Sequence, residues 1–247
     1  MNLVRVLRDA GLTVRDERRS SAPGPFAPIG VMNHHTAGPK TGDAPSLAFI
    51  KRGTSTVPGP LTQVLIGRSG TCYVVADGRA HHGGGGSSVV LAETRKNIAP
   101  SGTAYSRGLA QDTDGNTHYV GIEIENAGDG KDIYPTAQRI AVIKANAAIL
   151  LALGHPHANR SIAHKEWSRV KIDPRGFTMK WLRRRVAEEL EDAMFTEDEK
   201  KFLKKLVKEA KEADTTALNL GRVVKNFRAH KENHDGAHTH KVTGTTE

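Results

Sequence analysis

The sequence predicts an α/β fold, a mixed central β-sheet flanked by helices, followed by a C-terminal amphipathic helix and a flexible tail. Three observations carry that prediction. "LTQVLIGRSGTCYVV" and "HYVGIEIENAG" read as short strands bounded by turn residues. "PTAQRIAVIKANAAILLALG", residues 135–154, is apolar over most of a helical circumference, the mark of a buried helix. Strands and helices also mix without the strict alternation of a wholly parallel sheet.

In chain order, Leu3, Val4, Leu7 and Leu12 space a short amphipathic helix at the N-terminus. The proline-rich "SAPGPFAPIG", 21–30, leads into a strand ending at His34 and His35. Two further strands flank a turn at Arg68-Ser69-Gly70. His81 and His82 precede the glycine run 83–86, which reads as a mobile rim. "HYVGIEIENAG" alternates apolar and acidic residues, so Glu123 and Glu125 share one face. Gly154 stops the buried helix. A second helix follows at 178–194, with Thr178 as N-cap and Trp181, Leu182, Val186 and Leu190 on one face. After Phe195 the composition shifts to "TEDEKKFLKKLVKEAKEA", an amphipathic helix with a lysine-rich outer face. The expected organisation is a main domain at 1–195, a helical appendage at 196–229 and a disordered tail at 230–247. That tail carries His230, His234, His238 and His240, but no cysteine or fold to organise them as a metal site.

The formal net charge of +9 points to an anionic polymer as partner, either nucleic acid or bacterial cell wall with its anionic secondary polymers. Aromatic residues make up 5% and do not interleave with Lys and Arg, which argues against a nucleic-acid surface. No apolar run approaches the roughly 18–20 residues needed to span a bilayer, so no membrane insertion is expected. Arg5, Arg8 and Asp9 interrupt what would have to be the apolar core of a signal peptide. The single cysteine, Cys72, excludes an intramolecular disulfide and sits in a strand as a buried thiol.

"RSIAHKEWSRVKIDPRGF", 160–177, is too polar for an ordinary core segment. A catalytic zinc takes three protein ligands, imidazoles and carboxylates among them, and keeps a position open. His34, His164 and Asp173 supply such a set from distant parts of the chain.

With "VMNHHTAG", "GRSGTCYVVADGRAHHGG", "VGIEIEN" and "AHKEW…KIDP" in this order, residues 1–190 resemble the zinc N-acetylmuramoyl-L-alanine amidases of the type 2 amidase and peptidoglycan-recognition family. The likeness is nearest to endolysins of phages that infect actinobacteria, through the "GLTV" start and the "PFAPIGVMNHHTAG" approach. The resemblance implies Zn2+ held by His34, His164 and Asp173, with His35 as a neighbour that packs or touches substrate. It also implies Glu123 as general base and Lys171 as the positive charge beside the tetrahedral oxyanion. Period two leaves Glu125 as a second candidate for the base. Members with a cysteine ligand use a tyrosine at a position that is Thr62 here, so that tyrosine's role is missing or moved. His82 matches a histidine that lines the substrate groove in relatives.

The resemblance therefore implies a peptidoglycan hydrolase that cleaves the amide between N-acetylmuramic acid and L-alanine. It further implies an enzyme made in a host cytoplasm without a signal peptide, reaching the wall after the membrane is permeabilised. A non-catalytic wall-binding module of the same fold is the rival reading, and the joint presence of His34, His164 and Asp173 argues against it.

Overall fold

The computed structural model describes residues 1–195 together with Glu199, Lys201, Phe202 and Lys205. Residues 1–194 form one compact unit. Its helices are α1 (Leu3–Asp9), α2 (Leu47–Arg52), α3 (Ser88–Arg95), α4 (Gly115–His118), α5 (Thr136–Ala152), α6 (His164–Trp167) and α7 (Met179–Met194). Its strands are β1 (Val14–Asp16), β2 (Gly30–His35), β3 (Val64–Ile66), β4 (Cys72–Val74), β5 (Gly85–Gly86), β6 (Thr113–Asp114), β7 (Tyr119–Ile124) and β8 (Ser161–Ala163). The appendage at 196–229 lies outside the described residues except for four helical positions, and the tail at 230–247 lies wholly outside them. None of the described helices is long and apolar enough to cross a membrane.

Six strands form one sheet in the order β1-β4-β3-β7-β2-β8. Only β3 and β4 pair antiparallel, across the turn at residues 68–70, and the other four neighbouring pairs are parallel. The sheet is mixed, as the sequence implies. Alternation decides what each face meets. Val31, Val64, Ile66, Cys72, Val74, Val120, Ile122, Ile124 and Ala163 point into the main core, against α1, α5 and α7. Burial pushes the Cys72 thiol up to about 12, so it stays an inert protonated side chain. Met32, Tyr119 and Ile162 point to the opposite face, where Val90, Leu91 and Trp167 cover them.

The helices form for local reasons. Asn2 caps α1 by accepting the Arg5 N–H, and Leu3, Val4 and Leu7 are its buried face. Helix α5 is buried on most sides, and each large aliphatic side chain it buries contributes about 1.5–3 kcal/mol. Gly154, at φ 71°, lets the chain turn away while its N–H and that of His155 close back on Leu151 O and Leu150 O. Thr178 Oγ1 accepts the Trp181 N–H to open α7, which buries Met179, Leu182, Val186 and Leu190. A buried amide pair ties β2 to α5: Asn33 Nδ2 donates to Asn146 Oδ1 at 3.1 Å, and Asn146 Nδ2 returns a bond to Asn33 Oδ1 at 2.9 Å. Leaving either amide unpaired would cost about 1–3 kcal/mol. The pair therefore pins the register of the strand that carries His34.

The glycine run departs from expectation. Rather than a free rim, it is fastened to the protein. Asn116 Oδ1 accepts the N–H groups of His82 and Gly83 at 2.8 and 2.7 Å, and Gly85–Gly86 forms strand β5 against β6. A Cβ on Gly86 would lie 2.2 Å from the Trp167 indole. Gly83 and Gly86 are there for close packing, which a composition-based reading as a loop overlooks. Gly86→Ala is accordingly expected to destabilise the fold by about 1–3 kcal/mol, read as a lowered denaturation midpoint at unchanged slope.

Candidate metal centre

The parallel strands β7, β2 and β8 lie side by side and end at one edge. Side chains at the carboxyl ends of neighbouring parallel strands converge in a crevice, the usual place for a site in such sheets. His34, near the end of β2, stands opposite Glu123 on β7. On its other side β8 runs directly into α6, whose first residue is His164. The segment after α6 returns Asp173, because the Lys165 N–H donates to Asp173 O at 2.9 Å and Lys165 Nζ donates to Pro174 O at 2.6 Å. Glu166 anchors the start of α6: its Oε2 accepts the Ala163 N–H at 2.9 Å and Arg183 Nη2 at 2.5 Å. Sequence reasoning passed over this Glu166–Arg183 support, which has no signature beyond ordinary charges.

Three potential ligand atoms meet there. His34 Nδ1 lies 2.9 Å from His164 Nδ1 and 3.2 Å from Asp173 Oδ2, and His164 Nδ1 lies 3.1 Å from the same oxygen. All three residues are buried. Zinc at 2.0–2.1 Å from each of three tetrahedral donors would set them about 3.3–3.4 Å apart, so the triangle needs to open by only a few tenths of an ångström. Burial lowers the His34 imidazole to about 4, the neighbouring His164 adds to this, and the ring is neutral near pH 7. Burial pushes Asp173 upward, but the adjacent imidazoles, His164 first, outweigh it and hold the carboxyl well below its usual range. Neutral imidazole and ionised carboxylate are the forms a metal takes. The donor set fits a divalent cation such as zinc.

Glu123 and Glu125 separate clearly. Glu125 is spent on structure: its carboxylate accepts Thr36 Oγ1 at 2.9 Å, Ser46 Oγ at 2.7 Å and the Ser46 N–H at 3.2 Å. Glu123 Oε2 is buried with no hydrogen-bond partner among the described residues. Burial raises the Glu123 carboxyl well above the usual range, repulsion from Asp173 and Glu125 adds to it, and the Lys171 charge works the other way. Lys171 itself is exposed on an irregular segment, between the exposed Val170 and Ile172.

The remaining positions fall differently. Thr62 is fully buried and its hydroxyl donates to Val64 O at 3.3 Å, so it presents no group to a substrate. His82 is buried behind His34, with its Nδ1 3.1 Å from His34 Nε2, and does not line an open groove. At both positions the side-chain direction follows from loop packing that no local pattern encodes. His35 points to the opposite side of β2 from His34, accepts the Arg175 N–H through Nδ1 at 3.2 Å and packs against Gly128. Tyr134, which sequence reasoning did not single out, buries a hydroxyl with no partner among the described residues in the same neighbourhood and is raised by burial and by the charges of Asp132, Glu123 and Asp173.

A family model described as N-acetylmuramoyl-L-alanine amidase matches residues 25–176. The chain belongs to this amidase family. The matched segment contains His34, Glu123, His164, Lys171 and Asp173. No curated protein matches the amidase chain by sequence. Among solved structures, it is similar to the endolysin N-acetylmuramoyl-L-alanine amidase LysCS from Clostridium intestinale, with 13% identity over 70% of this chain and 95% of that one, at a TM-score of 0.48. The selenomethionine derivative of AmpD shows 20% identity over 69% of this chain and 94% of that one, at 0.47. Drosophila PGRP-LB shows 15% identity over 74% and 97%, at 0.42. Membership of the amidase family rests on the matched residues 25–176 rather than on these likenesses.

Proposed function

We propose that the protein is a zinc-dependent peptidoglycan amidase that hydrolyses the bond between the lactyl group of N-acetylmuramic acid and L-alanine of the stem peptide. One observation carries this reading: three buried ligand atoms converge beside a buried, unpartnered carboxylate oxygen, inside the segment that matches the amidase family. His34, His164 and Asp173 would hold the ion. When bound, zinc supplies a Lewis acid that acidifies water to a pKa of about 7 and polarises the scissile carbonyl.

The chain's own groups do the rest. Glu123 Oε2, with no competing protein donor, takes the proton from the attacking water and delivers it to the departing L-alanine amine. Its raised proton affinity favours taking up that proton. Lys171 brings an ammonium to the oxyanion that develops on the carbonyl. The exposed position of Lys171 leaves it free to close on bound substrate. The net charge of +9 favours approach to an anionic wall.

A role in host lysis, with the enzyme made in a host cytoplasm and admitted to the wall by a separate membrane lesion, is the finer reading. It is supported by the motif likeness to endolysins of phages infecting actinobacteria. Mass spectrometry of digested, purified peptidoglycan tests the activity. Free stem peptides beginning with L-alanine are expected, and they should disappear when a chelator removes the metal. New reducing sugar ends would instead mean a glycosidase, and intact glycan strands with intact stems would mean a binding module.

A further inference from the structure

His82 is more deliberately held than a space-filling histidine needs to be. Asn116 Oδ1 clamps its main-chain N–H at 2.8 Å. Its ring packs against Gly121, where a Cβ would come within 2.6 Å of His82 Cγ. Its Nε2 is 3.0 Å from Tyr119 O and its Nδ1 is 3.1 Å from His34 Nε2. The two rings meet edge to face at 5.2 Å.

The hydrogens along this chain have one consistent arrangement. Tyr119 O can only accept, so the proton of His82 sits on Nε2. A buried, neutral His82 then has a bare Nδ1, which can only accept in turn. The donor facing it is His34 Nε2, which therefore carries the proton of that ring. What remains is a bare lone pair on His34 Nδ1, the atom 2.9 Å from His164 Nδ1 and 3.2 Å from Asp173 Oδ2.

We propose that His82 is a positioning residue for the metal centre, fixing the tautomer and ring orientation of His34 through the chain Tyr119 O, His82, His34. Gly121 is part of the same device, because only a residue without Cβ leaves room for the His82 ring on that strand. The consequence is electrostatic. His34 Nδ1 and Asp173 Oδ2 face each other with no proton between them, and a cation relieves that repulsion. Outer partners of this kind typically change metal affinity about 10–100-fold when removed. The inference rests on the metal-site reading above, and its test separates the two.

The first measurement uses the full-length wild-type protein before any metal is added: long-range 15N–1H correlation of the histidine rings. His34 and His82 are both expected as the Nε2–H tautomer. The second is zinc affinity by competition with a chromophoric chelator. His82→Phe keeps a ring but loses the acceptor, and should bind zinc about 10–100-fold more weakly. His82→Asn, whose Oδ1 can accept from His34, should recover most of the loss. Gly121→Ala should weaken zinc similarly with every ligand residue intact. A wild-type His34 carrying its proton on Nδ1, or a His82→Phe protein that binds zinc like wild type, overturns the proposal. If a variant fails to fold, the wild-type tautomers still decide. A wild-type protein that shows both tautomers yet binds no zinc defeats the metal reading while leaving the hydrogen-bond chain standing.

Discussion

Asp173→Ala is expected to abolish both zinc binding and amidase turnover while leaving a folded protein. The carboxylate supplies one of three converging donors, at 3.2 Å from His34 Nδ1 and 3.1 Å from His164 Nδ1. Its removal leaves two imidazoles, too few for a tight site, so the loss should exceed the roughly 10–100-fold cost of losing an outer partner. The segment should keep its course, because the bond from the Lys165 N–H goes to the backbone carbonyl of residue 173 and survives the substitution. Elemental analysis of dialysed protein checks the metal, and circular dichroism checks the fold. A variant that retains one zinc per chain would remove Asp173 from the ligand set. Asp173→Cys should be milder, because a thiolate is an accepted zinc ligand at about 2.3 Å.

Glu123→Gln should retain zinc and stability and lose about 10²–10⁴-fold in turnover, the usual worth of a positioned acid–base group. The amide keeps the shape of the carboxyl but can no longer accept a proton. The contrast with Glu125 makes the experiment sharp. Glu125 receives three hydrogen bonds from Thr36 and Ser46, so Glu125→Ala should cost stability, about 1–3 kcal/mol in a denaturant titration, more than activity per folded molecule. If Glu125→Ala is inactive though folded and Glu123→Gln turns over normally, the base has been placed two residues too early. Lys171→Ala should likewise keep zinc and fold, with its loss confined to turnover, since its side chain is exposed.

Much of the architecture was legible along the chain because it is written in local periods. The apolar circumference of 136–152, the capped amphipathic run of 179–194 and the antiparallel pair around residue 70 all depend on neighbours within a few positions. The short elements were missed for the same reason: α2, α3, α4 and the β5–β6 pair carry too few residues for a period to show. The glycine run read as a loose rim because composition says nothing of Trp167, which packs against Gly86 from 81 residues away.

The residue types that a metal and its chemistry need were set by the sequence alone, and so was the choice of a mixed α/β sheet. Motif order pointed to His34, Glu123, His164, Lys171 and Asp173 as residues to watch. Only the tertiary structure decided which atoms meet. That both histidines offer Nδ1 follows from β2 and β8 lying side by side, whereas the packing of loops on that sheet consumes Glu125 with Ser46 and Thr36, turns Thr62 inward and sets His82 behind His34. The pairing of strands separated by tens of residues is a global minimum of packing and hydrogen bonding, and no single stretch of chain carries it. A period of two could place Glu123 and Glu125 on one face, but only the neighbours supplied by distant strands and loops could give them different work.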